Sequence, residues 1–142
     1  MLFENSCDYI SLYKTGLFLF MLSEEKKILL LLNLIIFNYH GLDESERLLL
    51  KELADKHDAQ EELKWAYSML GDDYFSSFES INIWFKDAVK DFDIERKLYF
   101  LTMVWEETVK KGYISEMEAT AMLKIAHNWG IQKELLAIVR KK

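Results

Sequence analysis

The sequence predicts an all-α fold on three observations. The chain of 142 residues is 51% hydrophobic, has no proline and has five glycines. Because proline interrupts helical hydrogen bonding, its absence favours long uninterrupted helices. Hairpin signals such as Asn-Gly are missing, and apolar residues recur at helical spacing along most of the chain. These observations predict one domain over residues 1–142, a helical bundle of seven to eight helices.

An internal repeat, over about 24–70 and about 94–139, supports this architecture. In each copy an apolar helix leads through a glycine and a short acidic patch into an amphipathic helix. Glu46 and Glu118 occupy matching positions, 72 residues apart. Two sets of five apolar-face positions correspond at the same offset: Leu49, Leu50, Leu53, Ala54 and His57 with Ala121, Met122, Ile125, Ala126 and Trp129. The repeat therefore predicts an internal duplication.

Four helices are predicted in the first half of the chain. They cover residues 8–21, about 24–39, a third segment opening at 43–46, and a short segment to Leu70 that Asp58 and Glu61 open with a repeat of the cap signal. Ser23 is the expected N-cap of the second helix and Gly41 its end. Asp43 and Glu46 have the spacing of a capping box for the third.

A connector over residues 72–75 is expected to lead into the second half. Helices are predicted over about 77–91, about 94–111, a segment opened by Ser115 and Glu118, and residues 131–139. Ser76 with Glu79 is the expected capping box of the first of these, and Asp93 the cap of the second. Gly112 and Gly130 are expected to end the two helices that precede them.

Composition also restricts the possible partners and location. The formal net charge of −6 makes nucleic acid an unsuitable partner, because phosphate repels an acidic surface. The single Cys7 cannot form an internal disulfide, which favours a reducing, cytoplasmic location. The longest apolar run, residues 28–37, would make about 15 Å of helix, half of a bilayer core. A buried helix is therefore expected, with no transmembrane segment and no secretory signal.

Residues 105–118, WEETVKKGYISEME, resemble the TerB-like tellurite-resistance family. Matches to its helix–turn–helix unit are Gly112, Ile114, Ser115 and Glu118 in the second copy, and Gly41, Leu42, Asp43 and Glu46 in the first. The resemblance implies an all-helical bacterial domain that carries the unit twice and is linked to tellurite or general stress response. In that family the acidic residues of the two turns are linked to divalent-cation binding. Here His40 and Lys111 stand where the family has aspartate, and a lysine would compete with a cation for the remaining carboxylates.

The acidic turns have two interpretations. Asp43, Glu46, Glu116 and Glu118, with the neighbouring Glu44, could converge on a divalent cation that is coordinated by oxygen. Alternatively, they cap helices and complement the positive helix N-termini. Because cap spacing alone accounts for the two pairs, capping is favoured, and no metal or cofactor is predicted.

No residue constellation predicts catalysis. The three histidines, His40, His57 and His127, lack the short spacing of a zinc site, and no nucleophile motif is present. Most aromatic residues fit apolar helix faces, but Tyr74, Phe75 and Trp84 fit least well and are candidates for a docking patch on a partner protein. We therefore expect a non-enzymatic cytoplasmic interaction or scaffold module, with a divalent-cation-binding protein as the alternative.

Overall fold

The computed structural model describes residues 22–40 and 42–140, and these residues form an all-helical bundle. The predicted helix at 8–21, Gly41 and Cys7 lie outside the described residues. Seven α-helices are present in the described part of the chain: α1 Ser23–Phe37, α2 Glu44–Lys56, α3 Gln60–Ser68, α4 Tyr74–Ala88, α5 Ile94–Lys110, α6 Glu116–Asn128 and α7 Gln132–Val139. A 3-10 helix, Asn38–His40, follows α1. The predicted fold class is confirmed.

Helix α1 lies at the centre of the bundle. It contacts α2, α3, α4, α5 and α6, and its residues 28–37 are at most 2% exposed. Such complete burial is expected of a helix that is apolar on all sides. The polar exception is Asn33, whose Nδ2 donates to the carbonyl of Leu29 at 2.8 Å. The helix thus satisfies this donor internally.

The predicted inner faces of α2 and α6 are largely confirmed. All five predicted residues of α6 and its C-cap are buried, as are Leu50, Leu53 and Ala54 of α2. Leu49 and His57 are half-buried. Both helices have 13 residues and each is followed by a short helix. This recurrence supports the predicted duplication, which itself stays a prediction.

Side-chain caps form at three of the predicted positions. The carboxylates of Asp43 and Asp93 accept backbone N–H bonds at 2.8 Å in each case, and the hydroxyl of Ser115 accepts one at 3.1 Å. Gly112 and Gly130 have φ of +104° and +76°, the left-handed conformation that commonly ends helices at glycine.

The cap predicted at Ser76 is wrong. Helix α4 begins at Tyr74, because the carboxylate of Asp73 accepts the backbone N–H of Ser76 at 3.2 Å. The hydroxyl of Ser76 donates to the same carboxylate at 2.7 Å. Residues 74 and 75 therefore belong to the helix and not to the connector.

Two other cap predictions are also wrong. Ser23 is the first residue of α1 and its hydroxyl donates to Glu62 Oε2 at 2.7 Å. Helix α3 begins at Gln60 with no side-chain hydrogen bond at its cap. It ends at Ser68, before the predicted stop. Asp58 has a φ of 51°, so the chain turns sharply where a cap was expected.

No helix in the described residues combines the length and apolarity needed to cross a membrane.

The central position of α1 leads to a stability prediction. Leu32 is 0% exposed, so Leu32→Ala should lower the free energy of unfolding by about 2–5 kcal/mol through lost burial and a cavity. Leu48 of α2 is 57% exposed, and Leu48→Ala should change the free energy of unfolding by less than about 0.5 kcal/mol. Urea unfolding of both variants tests this, and equal losses would contradict the central burial of α1.

Candidate functional site

The two acidic turns meet at one ammonium group. Lys111 follows α5 as its C-cap residue, and Glu46 and Glu118 lie in the first turns of α2 and α6. Lys111 Nζ donates to Glu46 Oε2 at 3.0 Å and also to Glu118 Oε2. The three side chains are 5%, 1% and 0% exposed, respectively. We call this buried ion cluster the Lys111 triad.

Each glutamate of the triad divides its two oxygens between two tasks. Glu46 Oε1 accepts the backbone N–H of Asp43 at 3.2 Å, and Glu118 Oε1 accepts that of Ser115 at 3.0 Å. The other oxygen of each carboxylate bonds to Lys111. Capping and a shared site, which the sequence presents as alternatives, therefore coexist.

Two aromatic rings lie close to the ammonium group. The Nζ of Lys111 is 5.4 Å from the ring centroid of Phe37 and 5.0 Å from that of Tyr113. Both distances are within the range of cation–π attraction. Phe37 is the buried last residue of α1, so the triad also touches the end of the central helix.

Within the triad, the pKa values of Lys111 and Glu118 are shifted. Burial alone would lower the pKa of Lys111, but hydrogen bonds and charge from Glu118 and Glu46 outweigh it, and the pKa is raised. Burial alone would raise the pKa of Glu118, but the bonds from Lys111 and Ser115 outweigh it, and the pKa is lowered. Both shifts favour the charged forms.

Of the four candidate metal ligands, the structure brings Glu46 and Glu118 together. Asp43 is exposed and caps α2, and Glu116 is exposed in the first turn of α6. Within the described residues, no group of three or more His, Cys, Asp or Glu could hold a metal ion. The position between Glu46 and Glu118 is filled by the Lys111 ammonium. In the sequence, the signal for this arrangement is Lys111, a lysine at the position where the resemblance implies aspartate.

A second ion pair follows the same scheme at the start of α1. Glu25 Oε1 accepts the backbone N–H of Leu22 at 3.0 Å, and Glu25 Oε2 pairs with the guanidinium of Arg96. Arg96 lies in the first turn of α5. Helix α5 therefore supplies a cation at each end to a glutamate that caps another helix.

One of these contacts joins positions that correspond in the repeat, Glu25 and Arg96, which are 71 residues apart. Lys26 and Lys97 also correspond at this offset and make similar bonds. The Nζ of Lys26 donates to the carbonyl of Asp58 at 2.9 Å, and the Nζ of Lys97 donates to that of Trp129 at 3.0 Å. Each lysine thus bonds the end of a helix in its own half of the chain.

An open groove lies between α4 and α6. Its volume is about 490 Å³, and its lining includes the aromatic side chains of Tyr39, Tyr74, Phe75 and Phe78. Two of the candidate docking residues, Tyr74 and Phe75, therefore line it. The third, Trp84, is half-buried and packs against Trp65 with ring centroids 4.9 Å apart. The sequence did not indicate the α6 wall of this groove, which includes Lys124 and His127.

Comparison of the chain with protein-family models, with curated proteins and with solved structures gives no match. The fold and site define an all-helical bundle with two glutamate-bearing turns bridged by an internal lysine. The TerB-like assignment rests on the turn residues alone and stays a prediction.

Removal of the Lys111 charge should destabilise the fold. In Lys111→Met, two buried carboxylates lose their cation, and we expect a loss of about 3–5 kcal/mol in the free energy of unfolding at pH 7. Because burial and mutual repulsion then raise the carboxyl pKa values, this loss should shrink as the pH falls towards 5. In the wild type, the pKa of Glu118 is lower in the folded than in the unfolded state, so protonation favours unfolding. The stability of the wild type should therefore fall as the pH drops below about 4.3.

Denaturant unfolding between about pH 2.5 and 8 measures both profiles. Lys51→Met is the matched control, because Lys51 and Asp55 are 71% and 51% exposed and pair at 3.4 Å. An exposed pair contributes about 0–1 kcal/mol. Parallel pH profiles for wild type and Lys111→Met would contradict the proposed charge balance.

A smaller residue at position 111 should make a divalent cation stabilising. Lys111→Ala leaves two carboxylate oxygens around an uncompensated space, and Mg²⁺ often binds through one or two carboxylates with water. At about 100 times its Kd, the ion should restore about 2.7 kcal/mol to the variant. Thermal unfolding with Mg²⁺ or Ca²⁺ tests this, and we expect no shift for the wild type. An ion-induced shift in wild type alone would contradict the role given to Lys111.

Proposed function

We propose that the protein is a non-enzymatic interaction module that binds a partner protein in the groove between α4 and α6. The observation that carries this proposal is the exposure of Phe75, which is 72%, at the edge of an aromatic-lined groove. Large exposed aromatic side chains beside a concave apolar surface are typical of protein-binding sites.

The aromatic cluster is held firmly before any partner binds. The ring of Tyr74 lies 5.1 Å from that of Tyr39, 5.7 Å from that of Phe78 and 5.9 Å from that of Phe75. The Tyr74 hydroxyl donates to the carbonyl of Ile35 in the central helix at 3.2 Å. A preformed surface loses little conformational entropy on binding, which favours affinity.

Asn82, on the same wall, also supports an occupant. It is 8% exposed and lines the groove. Its Nδ2 donates to the carbonyl of Phe78 at 3.0 Å, but its Oδ1 has no donor among the described residues. An unsatisfied buried acceptor costs about 1–3 kcal/mol, and a partner that brings a donor would recover part of this.

The non-enzymatic part of the proposal is supported by the separation of the charged cluster from the groove. Lys111 and Glu118 have shifted pKa values, but neither lines the groove, and each is bonded to the other. At the groove, burial and the neighbouring Tyr39 raise the pKa of Tyr74, which keeps its hydroxyl protonated as a donor. The divalent-cation alternative has less support, because the Lys111 ammonium already occupies the position between the two converging carboxylates.

The biological setting is proposed on the resemblance alone. A TerB-like module would act in the bacterial cytoplasm, in tellurite or general stress response. The negative net charge of −6 supports a protein partner over nucleic acid.

A pair of substitutions on α4 tests the groove. Phe75→Ala should reduce recovery of a specific partner from lysate by about tenfold or more, as for an aromatic residue that carries much of an interface's binding energy. Ile83 is 71% exposed on the same helix but does not line the groove, so Ile83→Ala should leave recovery unchanged. Quantitative affinity capture with tagged wild type and both variants measures this. Equal loss in the two variants, or none in either, would contradict the proposed site.

A further inference from the structure

We infer that the occupant of the α4–α6 groove is an amphipathic helix of the partner protein, with a basic residue on one flank of its apolar ridge and an acidic residue on the other. This inference rests on the proposed function and specifies the chemistry of the partner.

The shape of the groove suits a helix. Its walls are themselves helices, α4 and α6, and the aromatic side chains of Tyr39, Tyr74 and Phe78 lie half-buried or buried within its lining. An amphipathic helix places apolar residues from successive turns into such a groove. The aromatic side chains in the lining offer those residues an apolar contact surface.

The charges on the two walls differ in sign. Glu79 is exposed on the α4 wall and Lys124 is exposed on the α6 wall. Neither side chain forms an ion pair with the described residues. A helix with a single type of charge on both flanks would oppose one wall, whereas a helix with mixed flanks complements both. Such a helix complements both walls in one of its two end-to-end orientations, so the wall charges also select the direction in which it binds.

Three stapled peptides of about 18 residues, long enough for a stable helix, are the probes. They share one leucine ridge at positions i, i+3, i+4 and i+7 and differ only in their flanks, which carry lysine and glutamate, lysine alone or glutamate alone. Fluorescence anisotropy gives the Kd of each peptide for the full-length protein. The wild type should bind the mixed peptide about two- to fivefold more tightly than the other two, as expected for exposed charge pairs.

Charge reversals should change this order. In Glu79→Lys both walls are basic, so the glutamate-flanked peptide should become the tightest ligand. In Lys124→Glu both walls are acidic, and the lysine-flanked peptide should become the tightest. Glu61→Lys and Lys64→Glu alter the net charge equally at exposed positions of α3, outside the groove, and should keep the wild-type order.

The inference is overturned if the peptides keep one order of affinity in all variants. It is also overturned if none of them binds while capture of a partner still depends on Phe75, and in that case the proposed function stands. Sedimentation that shows a dimer dissolved by Phe75→Ala would identify a second copy of the chain as the occupant and would likewise overturn it. Partner capture that does not depend on Phe75 would instead contradict the proposed function.

Discussion

The bonds of Lys111 to Glu46 and Glu118 fix the relative positions of three helix ends. They join the N-termini of α2 and α6 to the C-terminus of α5. Apolar burial is not directional, and α1, which is buried on every side, favours no single rotation of its neighbours. The directional bonds of Lys111 to Glu46 and Glu118 select one rotation of the surrounding helices. Each glutamate also caps its own helix, so the first turn of that helix holds the carboxylate in position for its bond to Lys111.

The prediction of the fold succeeded where the information was local. Helical spacing and Asp-x-x-Glu or Ser-x-x-Glu patterns located the starts of α2 and α6, because the bonds that form these caps span three residues. The start of α4 was wrong because Asp73 and Ser76 both had acceptable cap chemistry, and their mutual bond decides between them. Lys111 and Glu46 are 65 residues apart, and no sequence periodicity reports such a contact. The pairing of Trp84 with Trp65 is equally a product of tertiary packing.

The buried charges and the open groove have opposite chemical character. In the Lys111 triad, every charge has a partner and the side chains are nearly inaccessible, so its contribution is to stability. The groove has exposed charges without ion pairs, an unsatisfied acceptor at Asn82 and the exposed Phe75. Exposed groups that the fold does not satisfy are the ones available to a partner. The two regions share α6, whose first turn closes the triad while its later turns form a wall of the groove.

The ion pairs also agree with the internal duplication, which stays a prediction from the sequence. When two copies of a unit fold about an approximate two-fold axis, residues near that axis meet their own counterparts. Glu25 meets Arg96, its counterpart at an offset of 71, and Glu46 meets Glu118 through Lys111. Identical charges in contact would repel each other. At the first of these positions the two residues, Glu25 and Arg96, carry opposite charges, so they attract each other directly. At the second both copies keep glutamate, because each needs it to cap a helix, and a cation between them becomes necessary. Lys111 supplies that cation from within the chain.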